Sequence, residues 1–276
     1  MARSRRLTIR TRATVMGLIM GPERPAITKR TIDVMADGGS EAELSWAGSG
    51  DEATSEAVPD LLMIWMSPGF PVGAFAFSHG LEKLVEDGVV CDRGHLEAWL
   101  SDLATMGSLR NDLILLAETW RGVLERSAER VMNVSELALA LQPSAERHLE
   151  TVTQGVAFHQ TVAAAWPAPG AGLLEAREIA YPVAVGLAAA RHGLPLPPTL
   201  NCYAIAFVSN LVSAAIRLSV IGQTDGQRTL AALLPICRSV AAQAATQSLD
   251  DLGSATIASD LASLFHETQY SRLFRS

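Results

Sequence analysis

The sequence predicts an all-α fold: a single-domain bundle of roughly eight to ten helices over residues 60–276, preceded by a disordered extension over 1–59. Three observations lead there. From residue 92 onward apolar residues recur three and four positions apart, the spacing of one helix face. Alternation of apolar and polar residues, the mark of a half-buried strand, is missing almost everywhere. The first 60 residues show neither pattern and segregate their charge: eight Lys/Arg against Glu23 alone in 1–30, then eight acids and no base in 31–60. Such a segment, rich in Gly, Ser, Thr and Ala, has too little apolar surface to offset the entropy of ordering it.

The elements follow in order. Asp60 is placed to cap a short apolar helix, Leu61–Met66. Ser67–Phe77 then packs two prolines, two glycines and three phenylalanines into a loop that must fold inward or be covered by a partner. Ser78 is expected to cap a helix running through Val85 and closed by Gly88. Leu96, Trp99, Leu100 and Leu103 form one stripe, and Leu113, Leu116, Ala117 and Trp120 another within Leu109–Leu124. Asn133 and Glu136 have capping-box spacing before Leu137–Leu141, and Ser144 opens a helix towards Ala165. Trp166–Gly172 reads as a loop, Glu175–His192 as a helix kinked at Pro182 and ended by Gly193. Thr199 is expected to cap Leu200–Ile221, Asp225 to cap Gly226–Gln247, and a last helix to run from Ser254 to Gln269.

Leu200–Ile221 is long enough to span a membrane, but Asn201, Asn210 and above all Arg217 are costly in lipid. It reads instead as the central buried helix of a soluble bundle. Composition agrees: 49% hydrophobic and 18% charged residues describe a core-rich globular chain. The net charge of −7 argues against a general nucleic-acid binder. Cys91, Cys202 and Cys237 are far apart and odd in number, so they imply no disulfide framework and suit a reducing, cytoplasmic setting. At the front, Ser4-Arg5-Arg6 only faintly suggests an export signal, and the apolar stretch Val15–Met20 is too short for one. An organelle transit peptide, or a later start at Met16, Met20 or Met35, is the other sharp reading of this head; a plain disordered tail is the expectation.

No catalytic constellation emerges. Ser78-His79 are adjacent and cannot form a nucleophile–base pair of productive geometry. The six histidines form no HxH, HxxxH or Cys/His cluster of ligand spacing, so no tight protein-borne metal site is expected. Gly222-Gln-Thr-Asp-Gly-Gln-Arg228 precedes a helix but lacks the lysine and the strand of a phosphate-binding loop. It reads as a helix–helix turn whose Arg217 and Arg228 are available to a partner.

The tail carries the most information. His266-Glu-Thr-Gln-Tyr-Ser-Arg-Leu-Phe-Arg-Ser276 interleaves Tyr270, Leu273 and Phe274 with Arg272 and Arg275, the composition found at the centre of protein–protein contacts. Either it docks on its own domain or it is kept for a partner. This string, together with Ser67-Pro-Gly-Phe-Pro-Val-Gly-Ala-Phe-Ala-Phe-Ser-His-Gly-Leu-Glu82 and Asn210-Leu-Val-Ser-Ala-Ala-Ile-Arg217 continuing to Gly222–Arg228, closely resembles the signatures of the urease accessory protein UreF family. The three lie in the family's order, so the resemblance covers about residues 60–276. Phe265 departs from it, standing where relatives often have Arg.

The resemblance implies an all-α, non-catalytic accessory protein that dimerises. It implies two partners, a UreD/UreH-type scaffold and the GTPase UreG, assembled on apo-urease so that GTP hydrolysis drives nickel insertion. No tightly bound cofactor is implied; nickel is handled by the assembled complex. By motif, Phe75 and Arg272 are expected to make partner contacts, and Tyr270, Leu273 and Phe274 to insert into the UreD/UreH-type partner. A different reading makes this chain a GTPase activator acting through Arg228 or Arg272. A third makes it a nickel carrier.

Overall fold

The computed structural model describes residues 58–168 and 178–276. The expected disordered extension 1–59 therefore falls almost wholly outside the described residues, as do part of the Trp166–Gly172 loop and the start of Glu175–His192. Among the described residues there are ten α-helices and no strand. They are α1 (Asp60–Trp65), α2 (Leu81–Glu86), α3 (Arg93–Met106), α4 (Ser108–Leu124), α5 (Ala128–Ala140), α6 (Ala145–Ala165), α7 (Tyr181–Arg191), α8 (Leu196–Arg217), α9 (Gln223–Ala244) and α10 (Ile257–His266). The all-α bundle predicted from periodicity is the observed architecture.

The capping residues explain where several helices begin, and where the sequence reading erred. Ser144 caps α6 as expected, its hydroxyl accepting from the Arg147 amide. Asn133 caps nothing, because α5 already starts at Ala128 behind Ser127. Asp60 lies inside α1, whose cap position is Pro59. Pro182 opens α7 rather than kinking it, since a first-turn proline lacks only an N–H that would be orphaned anyway. For the same reason α8 accommodates its prolines in the first turn and starts at Leu196, so Thr199 is interior and returns its hydroxyl to the Pro195 carbonyl. Asp225 lies in the first turn of α9 behind Gly222, not at its cap.

The centre of the bundle is α7, not α8. Nine consecutive residues of α7, Pro182–Ala190, are buried, whereas α8 buries one face only and leaves Asn201, Ser213 and Arg217 partly exposed. Alanines and Gly186 make this possible. A Cβ at Gly186 would stand 2.6 Å from the Leu116 carbonyl oxygen, so α4 and α7 approach more closely than any side chain there would allow. Around this pair, α5, α8 and α9 pack on α4, α6 on α7, and α3 on α9. The tenth helix lies apart from this centre, resting on α2 and α6. The one helix among the described residues long and apolar enough to cross a membrane is α8, and its Leu200, Val208, Leu211 and Val212 are spent on the core.

Candidate partner-docking site

The loop before α2 sorts its three phenylalanines. Phe70 and Phe77 are buried, while Phe75 remains 67% exposed. The chain then turns sharply: His79 and Gly80 are both left-handed, at φ 62° and 81°. At His79 this is a strained conformation, held because its Nε2 meets the Ser108 hydroxyl at 2.6 Å in a buried setting. At Gly80 a Cβ would stand 3.1 Å from the backbone nitrogen of Ser263, so the glycine lets α10 lie directly on the turn.

That turn aims Glu82 at the C-terminal segment. Glu82 Oε1 accepts from the Leu273 amide at 2.6 Å, and Oε2 from the Phe274 amide at 2.9 Å. His266, fully buried at the end of α10, places Nε2 3.1 Å from Glu82 and Nδ1 2.6 Å from Glu146 of α6. Glu146 also receives Arg272 at 2.7 Å. One turn along α6, Glu150 takes Arg147 and the Ser276 hydroxyl, the latter at 2.8 Å, and the Ser78 amide donates to the main-chain oxygen of Ser276 at 2.7 Å. Burial pushes the Glu150 carboxyl up, but Arg147, then His79 and last the Ser276 hydroxyl prevail and hold it down at about 2. Three buried carboxylates on two helices thus anchor the tail by charge-assisted hydrogen bonds.

Arg217, the last residue of α8, joins the three motifs. Its guanidinium carbon lies 3.6 Å from the Phe75 ring centre and 4.3 Å from that of Phe274, a cation–π contact with each ring. One of its amino groups donates to the Phe75 carbonyl at 2.5 Å. Beside it opens a cavity of about 490 Å³, lined by Met63, Phe75, His79, Asp112, Arg147 and Glu150 among others. Burial lowers the His79 imidazole to about 4, with help from Arg147, and raises the Asp112 carboxyl to about 6. Asp112 accepts from the Tyr203 hydroxyl at 2.8 Å.

The outer face of α10 is inverted. Its inward residues are Ser259, Ala262, Ser263 and His266, while Ile257, Leu261, Leu264 and Phe265 face solvent. Their spacing of 0, +4, +7 and +8 makes one apolar stripe, and Tyr270 and Leu273 are likewise exposed just beyond it. Periodicity finds such a stripe but assigns it to the core, because it cannot say which face meets the bundle.

Comparison with known proteins fits this arrangement. The UreF family profile matches residues 90–234. A urease accessory protein UreF from Xanthobacter autotrophicus is 51% identical over 233 residues, covering 83% of this chain and 96% of that protein. The chain belongs to the UreF family. Similar matches are the proteins named urease accessory protein UreF from Methylobacterium radiotolerans, 50% identical over 218 residues, and Rhodopseudomonas palustris, 51% over 218, each covering 78% of this chain and 95% and 90% of the relative.

In this UreF-family chain the residues singled out by sequence divide. Phe75 and Phe274 come together around Arg217, while Arg272 pairs with Glu146. Phe274 is a correction to the expectation that it projects for a partner: it is buried in its own domain, because its ring covers Arg217 and its amide is tied to Glu82. Tyr270 and Leu273 do project. Arg228 is not drawn into this cluster; it is exposed at the start of α9 and pairs with Asp225 at 2.9 Å. Sequence reasoning missed Glu82, Glu146, Glu150 and His266 as a group, since nothing in their separations signals that α2, α6 and α10 converge. It also passed over Cys91 and His95, four residues apart, which the structure brings to 3.5 Å.

Proposed function

We propose that this chain is a non-catalytic urease accessory protein of the cytoplasm that bridges a UreD/UreH-type scaffold and the GTPase UreG on apo-urease, as a homodimer, to promote GTP-dependent nickel insertion. It needs no tightly bound cofactor for this, since nickel is the cargo of the assembled complex, and it engages neither nucleic acid nor membrane. One observation carries the reading: α10 turns Ile257, Leu261, Leu264 and Phe265 outward next to Tyr270 and Leu273, while the tail between them is pinned by buried carboxylates. Burying each of those large side chains against a scaffold is worth about 1.5–3 kcal/mol, and a pre-ordered tail avoids most of the entropy cost of docking. Phe75, exposed over Arg217, and Arg272, paired with Glu146 yet 40% exposed, extend the same surface.

The test is co-expression with the cognate UreD/UreH-type protein and pull-down of the full chain against Leu261→Glu/Phe265→Glu. Capture is expected to vanish while the variant stays folded; unchanged capture overturns the assignment of this face. Deleting the tail is a poorer test, because it strips partners from Glu82, Glu146 and Glu150 and destabilises the domain.

A second reading, activation of the GTPase by an inserted arginine, is favoured at Arg228, whose guanidinium is exposed and held only by Asp225 on its own helix. Arg272 is less available, being committed to Glu146. Single-turnover GTP hydrolysis by UreG with Arg228→Ala separates the readings: lost rate with intact binding supports the arginine, unchanged rate removes it.

A further inference from the structure

A second group of side chains converges in the turn that leads from α2 into α3. Cys91 Sγ lies 3.5 Å from His95 Nδ1, and Asp92 Oδ1 lies 2.9 Å from the same nitrogen. All three ligand atoms fall within 4.8 Å of one another. Bonds of about 2.0–2.3 Å to sulfur, nitrogen and oxygen set neighbouring ligands of one ion about 3.0–3.7 Å apart. Both separations from His95 thus lie at or close to that range without rearrangement of the backbone.

The frame that holds them is rigid. Val90 on one side and Leu96 on the other are buried in the core, and the amides of Val89 and Val90 are both tied to the Leu84 carbonyl. Asp92 is the N-cap of α3, accepting from the His95 amide at 2.9 Å, which fixes its carboxylate. Arg93, the next residue in the chain after Asp92, leans along the helix to Glu97 at 3.7 Å. The helix start contributes a partial positive charge of about half a unit, which a thiolate and a carboxylate together outweigh. The other two thiols are poor competitors: burial raises both Cys202 and Cys237, the latter to about 11, whereas Cys91 is exposed.

We propose that Cys91, Asp92 and His95 form a surface site for one divalent first-row transition cation. Thiolate, carboxylate and imidazole are the protein ligands, and water fills the remaining positions. A mixed sulfur, nitrogen and oxygen set suits a borderline ion such as nickel, cobalt or zinc, not calcium or magnesium. On binding, Cys91 releases its thiol proton to solvent, and His95 gives up its Nδ1–H bond to Asp92: the Nδ1 proton leaves to solvent while Nε2 carries the ring's remaining proton, so that Nδ1 is free to ligate. Because all three residues are exposed, the ion is held loosely and in reach of another protein. The proposal stands apart from the docking face and is tested without any partner.

The experiment titrates the full chain, reduced, with Co²⁺ alone and then displaces it with Ni²⁺, reading the thiolate-to-metal charge-transfer absorption. One equivalent is expected. Cys91→Ser should lose the band entirely. His95→Ala should weaken binding by more than the about 10–100-fold that losing an outer-shell partner costs. Asp92→Asn keeps the helix cap and lowers affinity, which separates ligation from capping. No band on the unaltered chain overturns the site. So does a band of equal strength in Cys91→Ser, which would assign the metal to Cys202 or Cys237.

Discussion

The helices α7 and α10 are both short and apolar, yet they are used in opposite ways. α7 buries Pro182–Ala190 without interruption and meets α4 across Gly186. Its stability comes from close packing of small and branched side chains. α10 turns its large residues outward and meets the bundle through Ser259, Ser263 and His266. It is held by ions and hydrogen bonds to Glu82 and Glu146. One helix completes its apolar burial within the chain, and the other leaves its large apolar residues exposed. Apolar content alone therefore does not tell a core helix from a surface helix; what lies on the inner face does.

The largest effect expected to break this contrast is on the α10 side. Glu82→Ala removes the acceptor of His266, Leu273 and Phe274 at once and leaves buried donors unpaired. A loss of about 3–5 kcal/mol in urea denaturation is expected; a loss below about 1 kcal/mol would mean that α10 is held by something else. Next comes Leu187→Ala in α7, a buried truncation expected to cost about 2–5 kcal/mol in the same experiment.

The cavity beside the tail supplies a pH-dependent test. Asp112 is raised from 3.8 to about 6, chiefly by burial, so the folded state keeps that proton longer than the unfolded chain. Its contribution to stability is full below about 3.8 and is lost as pH rises to about 6. Asp112→Asn should therefore gain on the unaltered chain across that interval, by an amount on the order of 1 kcal/mol, since the carboxyl faces an open cavity. A stability difference flat from pH 4 to 6 would show that Asp112 titrates normally. The smallest effect is expected at Leu261→Ala, within about 0.5 kcal/mol of unchanged stability because the side chain is exposed. Its equality with Leu187→Ala would erase the distinction between the two helices.

Much of the fold was readable in the residues because helix periodicity and caps are local signals. Ser144 announces α6, and the stripe Leu96–Leu100–Leu103 announces α3. The errors are also local: Asn133 looks like a cap but sits inside a helix begun by Ser127, and the prolines near α7 and α8 look like breaks but are starts. The site was legible only as three motifs. That they meet at Arg217, between Phe75 and Phe274, depends on the packing of α8 against the loop and tail, which has no counterpart in spacing. Likewise a sequence shows that α10 is amphipathic but not that its polar side faces in, because the buried carboxylates that make this favourable come from α2 and α6.

The grip of Glu82 on the tail has a consequence for how this surface can vary. Glu82 holds Leu273 and Phe274 by their amide N–H groups, and every residue except proline offers that group. The register of the segment is thus written in the main chain. Leu273, its amide bound inward and its side chain 63% exposed, is free to be exchanged for a side chain of another shape without loosening the anchor that displays it.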